Sequence, residues 1–275
     1  MPHEVIDRIN LKTMRAADTV AQYSTSEKLR LHEQAALASV ADEVRGQAIL
    51  DIGVGAGRTV VPLLAISADY LAIDYSPEMV AACRARFPDV KVAFGDARDL
   101  STIAGDSISL AVFSCNGISM VGHEDRLAII REVQRVLKPG GVFVFTTYNL
   151  GSAEATRGFR LPDMEFSANP LRLAVRLARL SRDTAISFMQ RRRNLRHELR
   201  TPHYAIVNDR CHNYGVMLYY ITLSSQRQQL ADAGFEAQAT AYDNKGGLIV
   251  NDTPCDSMAI VARKPRRAAS AASGS

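Results

Sequence analysis

Several features that would settle the class of this protein at once are missing from its sequence. No apolar run is long enough to span a bilayer, and Met1-Pro2-His3-Glu4 leads into mixed charge without an apolar segment. Neither a membrane span nor a secretory leader is therefore expected. The four cysteines, Cys83, Cys115, Cys211 and Cys255, show no Cys-x-x-Cys spacing. They read as reduced thiols of a cytoplasmic protein, not as disulfides or zinc ligands, and no metal is expected. A basic face is missing too. Residues 170–200 carry nine Arg against Asp183 and Glu198, a local +7, and Arg263, Lys264, Arg266 and Arg267 add +4. The overall charge is +4, which leaves −7 for the body of the chain. Positive charge is local here, which argues against a nucleic-acid-binding face.

At 275 residues, 47% hydrophobic and 23% charged, the chain suits one α/β domain with a sizeable insertion. The stretch that organises it is Ala48-Ile49-Leu50-Asp51-Ile52-Gly53-Val54-Gly55-Ala56-Gly57-Arg58-Thr59. An apolar run ends near an acid, passes through glycines at every second position, and enters an apolar segment at Val60 that can start a helix. Strand, glycine-rich turn and helix make a nucleoside- or phosphate-binding corner. A dinucleotide fingerprint would want its third glycine at position 58, but that residue is Arg58 and the glycine falls at Gly57. The Asp-x-Gly-x-Gly-x-Gly pattern instead resembles motif I of the class I S-adenosylmethionine-dependent methyltransferases, whose loop holds the ribose and amino-acid end of the cofactor. Asp51 then suits a ligand with a positive amine.

Two further segments carry the resemblance. Tyr70–Asp74 reads as a second strand, with Ser76-Pro77-Glu78 capping the next helix. Asp74 stands 23 residues after Asp51, about where an α/β unit delivers a carboxylate to a ribose diol. Val90–Ala97 reads as a third strand, and its Asp96 resembles the methyltransferase residue that takes the adenine amino group. Strands at 108–115 and 142–147 follow, the second after Arg135-Val136-Leu137-Lys138-Pro139-Gly140-Gly141, which resembles the family's turn before strand five. Three successive strands delivering Asp to one sheet edge is a stronger signal than the glycines.

The resemblance covers residues 46–149. It implies a Rossmann-like α/β fold, a seven-stranded mostly parallel sheet with one antiparallel strand, helices on both faces, and an insertion lid after strand five. Residues 1–45 are expected to form a helical cap, 46–149 with 223–264 the cofactor domain, 150–222 the insertion, and 265–275 a disordered tail. A helix at 224–234 and strands at 235–242 and 257–262 complete the expected sheet. Cofactor-binding roles are implied for Tyr23, Asp51, Gly53, Gly55, Gly57, Asp74, Tyr75, Met79, Asp96, Ala97, Ser114 and Asn116.

In the insertion, Pro170 to Arg200 reads as an Arg-rich helix, with strands at 204–207 and 216–221. His203, Tyr204 and His212 are candidates for acceptor positioning or general base, against the competing reading of aromatic packing. Arg172, Arg176 and Arg179 recur at helical spacing beside Leu173, Leu177 and Leu180. A solvated face, an anionic acceptor, a membrane surface and RNA all suit that pattern. The expected activity is methyl transfer from S-adenosyl-L-methionine to a small-molecule acceptor. An RNA methyltransferase and a non-catalytic nucleoside-binding protein are the alternatives.

Overall fold

The computed structural model describes residues 2–25, 28–161 and 169–267. Three helices open the chain, α1 (Pro2–Met14), α2 (Ala17–Ser24) and α3 (Leu31–Ala38). An alternating α/β unit follows as β1 (Ile49–Ile52), α4 (Val60–Leu64), β2 (Tyr70–Asp74), α5 (Pro77–Arg86), β3 (Val92–Phe94), β4 (Ile108–Phe113), α6 (His123–Val136) and β5 (Leu137–Asn149). The insertion comprises α7 (Ala153–Thr156), α8 (Pro170–Asn194), β6 (Leu199–Arg200), β7 (Tyr204–Asp209), the short turn α9 (Cys211–Tyr214) and β8 (Val216–Ile221). Then come α10 (Leu223–Asp232), β9 (Thr240–Asp243), β10 (Leu248–Ile249) and β11 (Ser257–Arg263).

Among the described residues the sheet has eleven strands, four more than expected. Its main path runs β10-β9-β11-β5-β4-β1-β2-β3, with parallel pairing from β3 through β5 and antiparallel pairing of β11 to β5. Seven of these strands make the anticipated sheet, with β11 as its antiparallel member. The extra ones are β10, which hairpins onto β9, and the leaf β6-β7-β8 of the insertion.

Alternation along the central strands explains the layers. Leu110 and Val112 of β4, Val142 and Val144 of β5, and Ala259 and Val261 of β11 join one core with Leu37, Leu63 and Val80. Their neighbours Ala111, Phe113, Phe143, Phe145, Ile260 and Ala262 join the other, against Ile129, Val133 and Leu230. Helices therefore cover both faces.

The insertion is tied to the carboxyl edge by β5, which is 13 residues long. β4 follows β5 up to Phe145, and beyond it β8 pairs with Tyr148 and Asn149 while β11 holds the opposite side. The leaf thus continues above the end of β4. Asn10 of α1 fixes the cap to the leaf by bonding both backbone groups of Met217, at 2.8 Å each.

Some boundaries differ from expectation. The third strand is only Val92–Phe94, and the expected strand at 235–242 begins at Thr240, although Glu236 gives its N–H to the Arg263 carbonyl at the end of β11. Helix α8 stops at Asn194 instead of Arg200, giving way to a 3-10 turn and β6. Of the tail, Arg267 ion-pairs with Asp106 at 2.8 Å, and 268–275 lie outside the described residues. No helix among the described residues is long and apolar enough to cross a membrane.

Candidate cofactor and acceptor site

The strand register staggers the three acids. Asp51 pairs with Ala72, one residue before β1 ends, whereas Asp74 is the last residue of β2 and pairs with Phe94 of β3. Asp51 therefore sits two residues below Asp74 along the sheet, about 7 Å at strand rise, and Asp96 lies two residues beyond the end of β3. Only Asp74 stands at the edge itself.

Asp74 is built as an acceptor. One carboxylate oxygen takes the Gly55 N–H and the other the Ser76 N–H, both at 2.8 Å. Ser76 in turn caps α5 through the Met79 N–H. Two backbone donors leave lone pairs on both oxygens for a ligand. Burial raises the Asp74 pKa against the opposing pull of those two N–H groups. Gly55 has φ +56°, and a Cβ placed on it would meet nothing within 4 Å, so the loop backbone there is open to close approach by a ligand. Gly57 has φ +93° for a different reason. Its Cβ would lie 2.5 Å from the Phe87 ring, so it lets the loop pack on α5.

Asp51 does a different job. It is fully buried and accepts bonds from the hydroxyls of Thr59 and Tyr70, joining β1 to the start of α4 and to β2. Burial pushes its pKa up to about 6, although both hydroxyl bonds act to lower it. It does not line the cavity described next.

That cavity, of about 900 Å³, opens between the loop, the end of β4, the N-terminal helices and the insertion. Of the residues expected at the cofactor, Tyr23, Gly53, Gly55, Asp74, Tyr75, Met79 and Ser114 line it. Asp96 and Ala97 border a small neighbouring cavity of about 40 Å³, which shares Gly53, Tyr75 and Phe113 with the large one. Arg98 ion-pairs with Asp96 at 2.6 Å and also reaches Asp7 and Asp125. Gly57 and Asn116 line neither; Asn116 is buried at φ +56° and gives its N–H to Thr146.

Glu33 joins the cap to the loop, a role with no local signal in the sequence. It is buried and accepts both Arg58 Nη groups, at 2.6 and 2.8 Å, together with the N–H groups of Arg30 and Cys115. Arg58 also reaches Ser114 Oγ and the Lys28 carbonyl. Burial alone would raise the Glu33 pKa, but the Arg58 contacts and the two backbone donors outweigh it and hold the carboxyl at about 2. One pair thus clamps α3, the glycine loop and the end of β4. The signal for Arg58 was its place where a dinucleotide loop has glycine.

The three candidate catalytic residues separate. His212 lines the cavity and stacks on Tyr23 with ring centroids 6.2 Å apart, and burial lowers its pKa. Tyr204 does not line it. Its ring stacks on both His123 (4.3 Å) and Tyr219 (4.9 Å), and Tyr219 bonds His123 Nδ1 at 2.8 Å. His203 is exposed in the turn before β7. In the leaf, Val216 and Leu218 line the cavity, while Met217 and Tyr219 pack with Tyr204 in a separate cluster. Cys115, Tyr148, Arg182, Asp183, Ile186, Gln190 and Arg193, none of them anticipated, complete much of the lining. Among the described residues, no group of three His, Cys, Asp or Glu could hold a metal ion.

With this geometry in hand, comparison with known proteins is direct. A family described as "Methyltransferase domain" matches residues 49–141. A demethylmenaquinone methyltransferase of Paenarthrobacter aurescens is 33% identical over 104 residues, 38% of this chain and 40% of that protein. The chain thus spans about two fifths of the length of the curated relatives it matches. The methyltransferase CcbJ of Streptomyces caelestis superposes with a TM-score of 0.57 at 16% identity, over 88% of this chain and 92% of that one. The glycopeptide N-methyltransferase MtfA, solved with S-adenosyl-L-methionine, does so with a TM-score of 0.54 at 17% identity, over 86% and 95%. Residues 49–141 match a methyltransferase domain, and the chain shares its fold with methyltransferases of known structure.

Proposed function

We propose that the chain binds S-adenosyl-L-methionine at the glycine loop and transfers its methyl group by direct displacement to a small-molecule acceptor in the same cavity. The observation that carries this reading is the open Gly55 backbone beside Asp74, both on the wall of a cavity of about 900 Å³. That volume lies within the roughly 300–1,000 Å³ usual for small-molecule sites. The relatives point the same way, since their names specify demethylmenaquinone and glycopeptide acceptors.

In this reading Asp74 accepts the ribose hydroxyls, and Gly53, Gly55, Tyr75 and Met79 form the surrounding wall. Asp96 and Ala97 serve the adenine end. Asp51 acts indirectly, by holding β1, α4 and β2 in register behind the loop. The cofactor supplies an activated sulfonium methyl, so the protein's main task is to align the acceptor and exclude water. Residues 1–45 act as a cap, and 150–222 roof the acceptor end. His212, kept neutral by burial, is the candidate to take a proton at its ring nitrogen or to orient the acceptor. The free cysteines fit a reducing, cytoplasmic setting.

Calorimetry with S-adenosylhomocysteine and with a nicotinamide dinucleotide tests the cofactor; binding of the dinucleotide alone would end this reading. Labelled methyl offered with a cell extract, then sorted into protein, RNA and small-molecule fractions, tests the acceptor. Label is expected in the small-molecule fraction, and label confined to RNA would replace the acceptor class.

A further inference from the structure

Helix α8 divides into two halves with different surroundings. From Arg182 onward it lines the cavity through Arg182, Asp183, Ile186, Gln190 and Arg193, and both of its buried side chains, Ser187 and Asn194, lie in this half. Before Arg182 it buries none. Leu171, Ala174, Val175 and Ala178, spaced i, i+3, i+4 and i+7, form an exposed apolar stripe, with Leu171 78% and Val175 52% accessible. Arg172 and Arg179, also exposed, run along its border.

Charge indicates what that surface is. The chain outside residues 170–200 and the basic tail is acidic, so an anionic layer would repel most of the molecule and attract it at this helix. An apolar stripe bordered by arginine matches a helix lying in a headgroup layer. RNA would use the arginines and leave Leu171 and Val175 without a purpose.

We propose that the first half of α8 lies on an anionic lipid surface and that the cavity, walled by the second half of the same helix, takes an amphiphilic acceptor from that surface. The acceptor part of this proposal rests on the methyl-transfer reading; the docking part does not.

The full chain is to be sedimented with vesicles of phosphatidylcholine, with and without phosphatidylglycerol. Binding is expected only to the anionic vesicles, and it should weaken as salt rises. The double variant Arg172→Glu, Arg179→Glu should weaken it about tenfold or more. Leu171→Ser with Val175→Ser should weaken it as well, with charge unchanged. Both variants should keep the parent's affinity for S-adenosylhomocysteine, which also reports that they fold. Absence of vesicle binding by the parent would overturn the proposal. So would RNA binding lost on charge reversal but indifferent to the serine changes, or a dimer that the serine changes dissociate. Vesicle binding by a parent that fails to bind S-adenosylhomocysteine would keep the docking surface and remove the methyl-transfer reading beneath it.

Discussion

The cavity has two walls of opposite construction. The sheet-edge wall is made of backbone and buried acids, namely the Gly55 amide, the doubly held Asp74 and, behind them, Asp51 locked by two hydroxyls. The roof, from α1, α2, α8 and the β7–β8 turn, offers long side chains such as Lys12, Arg182, Gln190 and Arg193. Groups without rotamers, fixed by the fold, cost little to order around a ligand, whereas long side chains lose entropy but adapt to different shapes. Under the proposed function, constancy belongs to the first wall and specificity to the second.

Breaking the clamp that Glu33 of α3 places on the glycine loop of the sheet-edge wall should have the largest effect. Glu33→Ala leaves the Arg58 charge buried and unpaired, which costs about 3–5 kcal/mol, and chemical denaturation should register the loss. Because the folded carboxyl titrates at about 2, below its ordinary 4.5, its contribution is present above pH 4.5 and fades as pH falls toward 2. The gap between parent and variant should narrow over that interval; a gap independent of pH there would mean that the pair is not what holds α3 to the loop.

The sheet-edge wall comes next. Asp74→Ala removes two charge-assisted bonds, each worth about 1.5–3 kcal/mol before compensation, so S-adenosylhomocysteine affinity should fall roughly a hundredfold by calorimetry. Unchanged affinity would take the cofactor away from this edge. On the roof, His212→Ala should leave that affinity intact and lower kcat by about a hundredfold if the ring moves a proton. A rise in KM with kcat preserved would make it a positioning residue only.

Asp51 sharpens the contrast between an acid behind the edge and one on it. Its folded pKa of about 6 exceeds the ordinary 3.8, so its contribution to stability is full below pH 3.8 and is lost as pH rises through 6. Asp51→Asn should therefore gain on the parent between pH 4 and 7, by at most about 3 kcal/mol, as followed by melts across that range. The smallest effect belongs to Asp96, which is half-buried and already paired with Arg98. Asp96→Asn should cost less than about 1 kcal/mol of cofactor affinity and less than Asp96→Ala. If both cost nothing, Asp96 is only a turn residue.

Local sequence determined much of this protein: the glycine spacing, the alternating strands of a sheet buried on both faces, and the Ser76-Pro77 helix start, since each is set by the backbone needs of a few neighbouring residues. Tertiary structure decided the rest. Register, not composition, puts Asp51 two residues below Asp74, so that of two acids alike in sequence one is a buried strut and the other lines the cavity. Alternation along the leaf points Leu218 toward the cavity and packs Tyr219 with Tyr204 away from it. Glu33 meets Arg58 and Cys115 across 25 and 82 residues of chain, and no local pattern can signal a contact of that span. Likewise, the helical period of α8 set arginines beside Leu173, Leu177 and Leu180, but only the structure left Leu171 and Val175 as the exposed stripe and separated the half of the helix that walls the cavity from the half that does not.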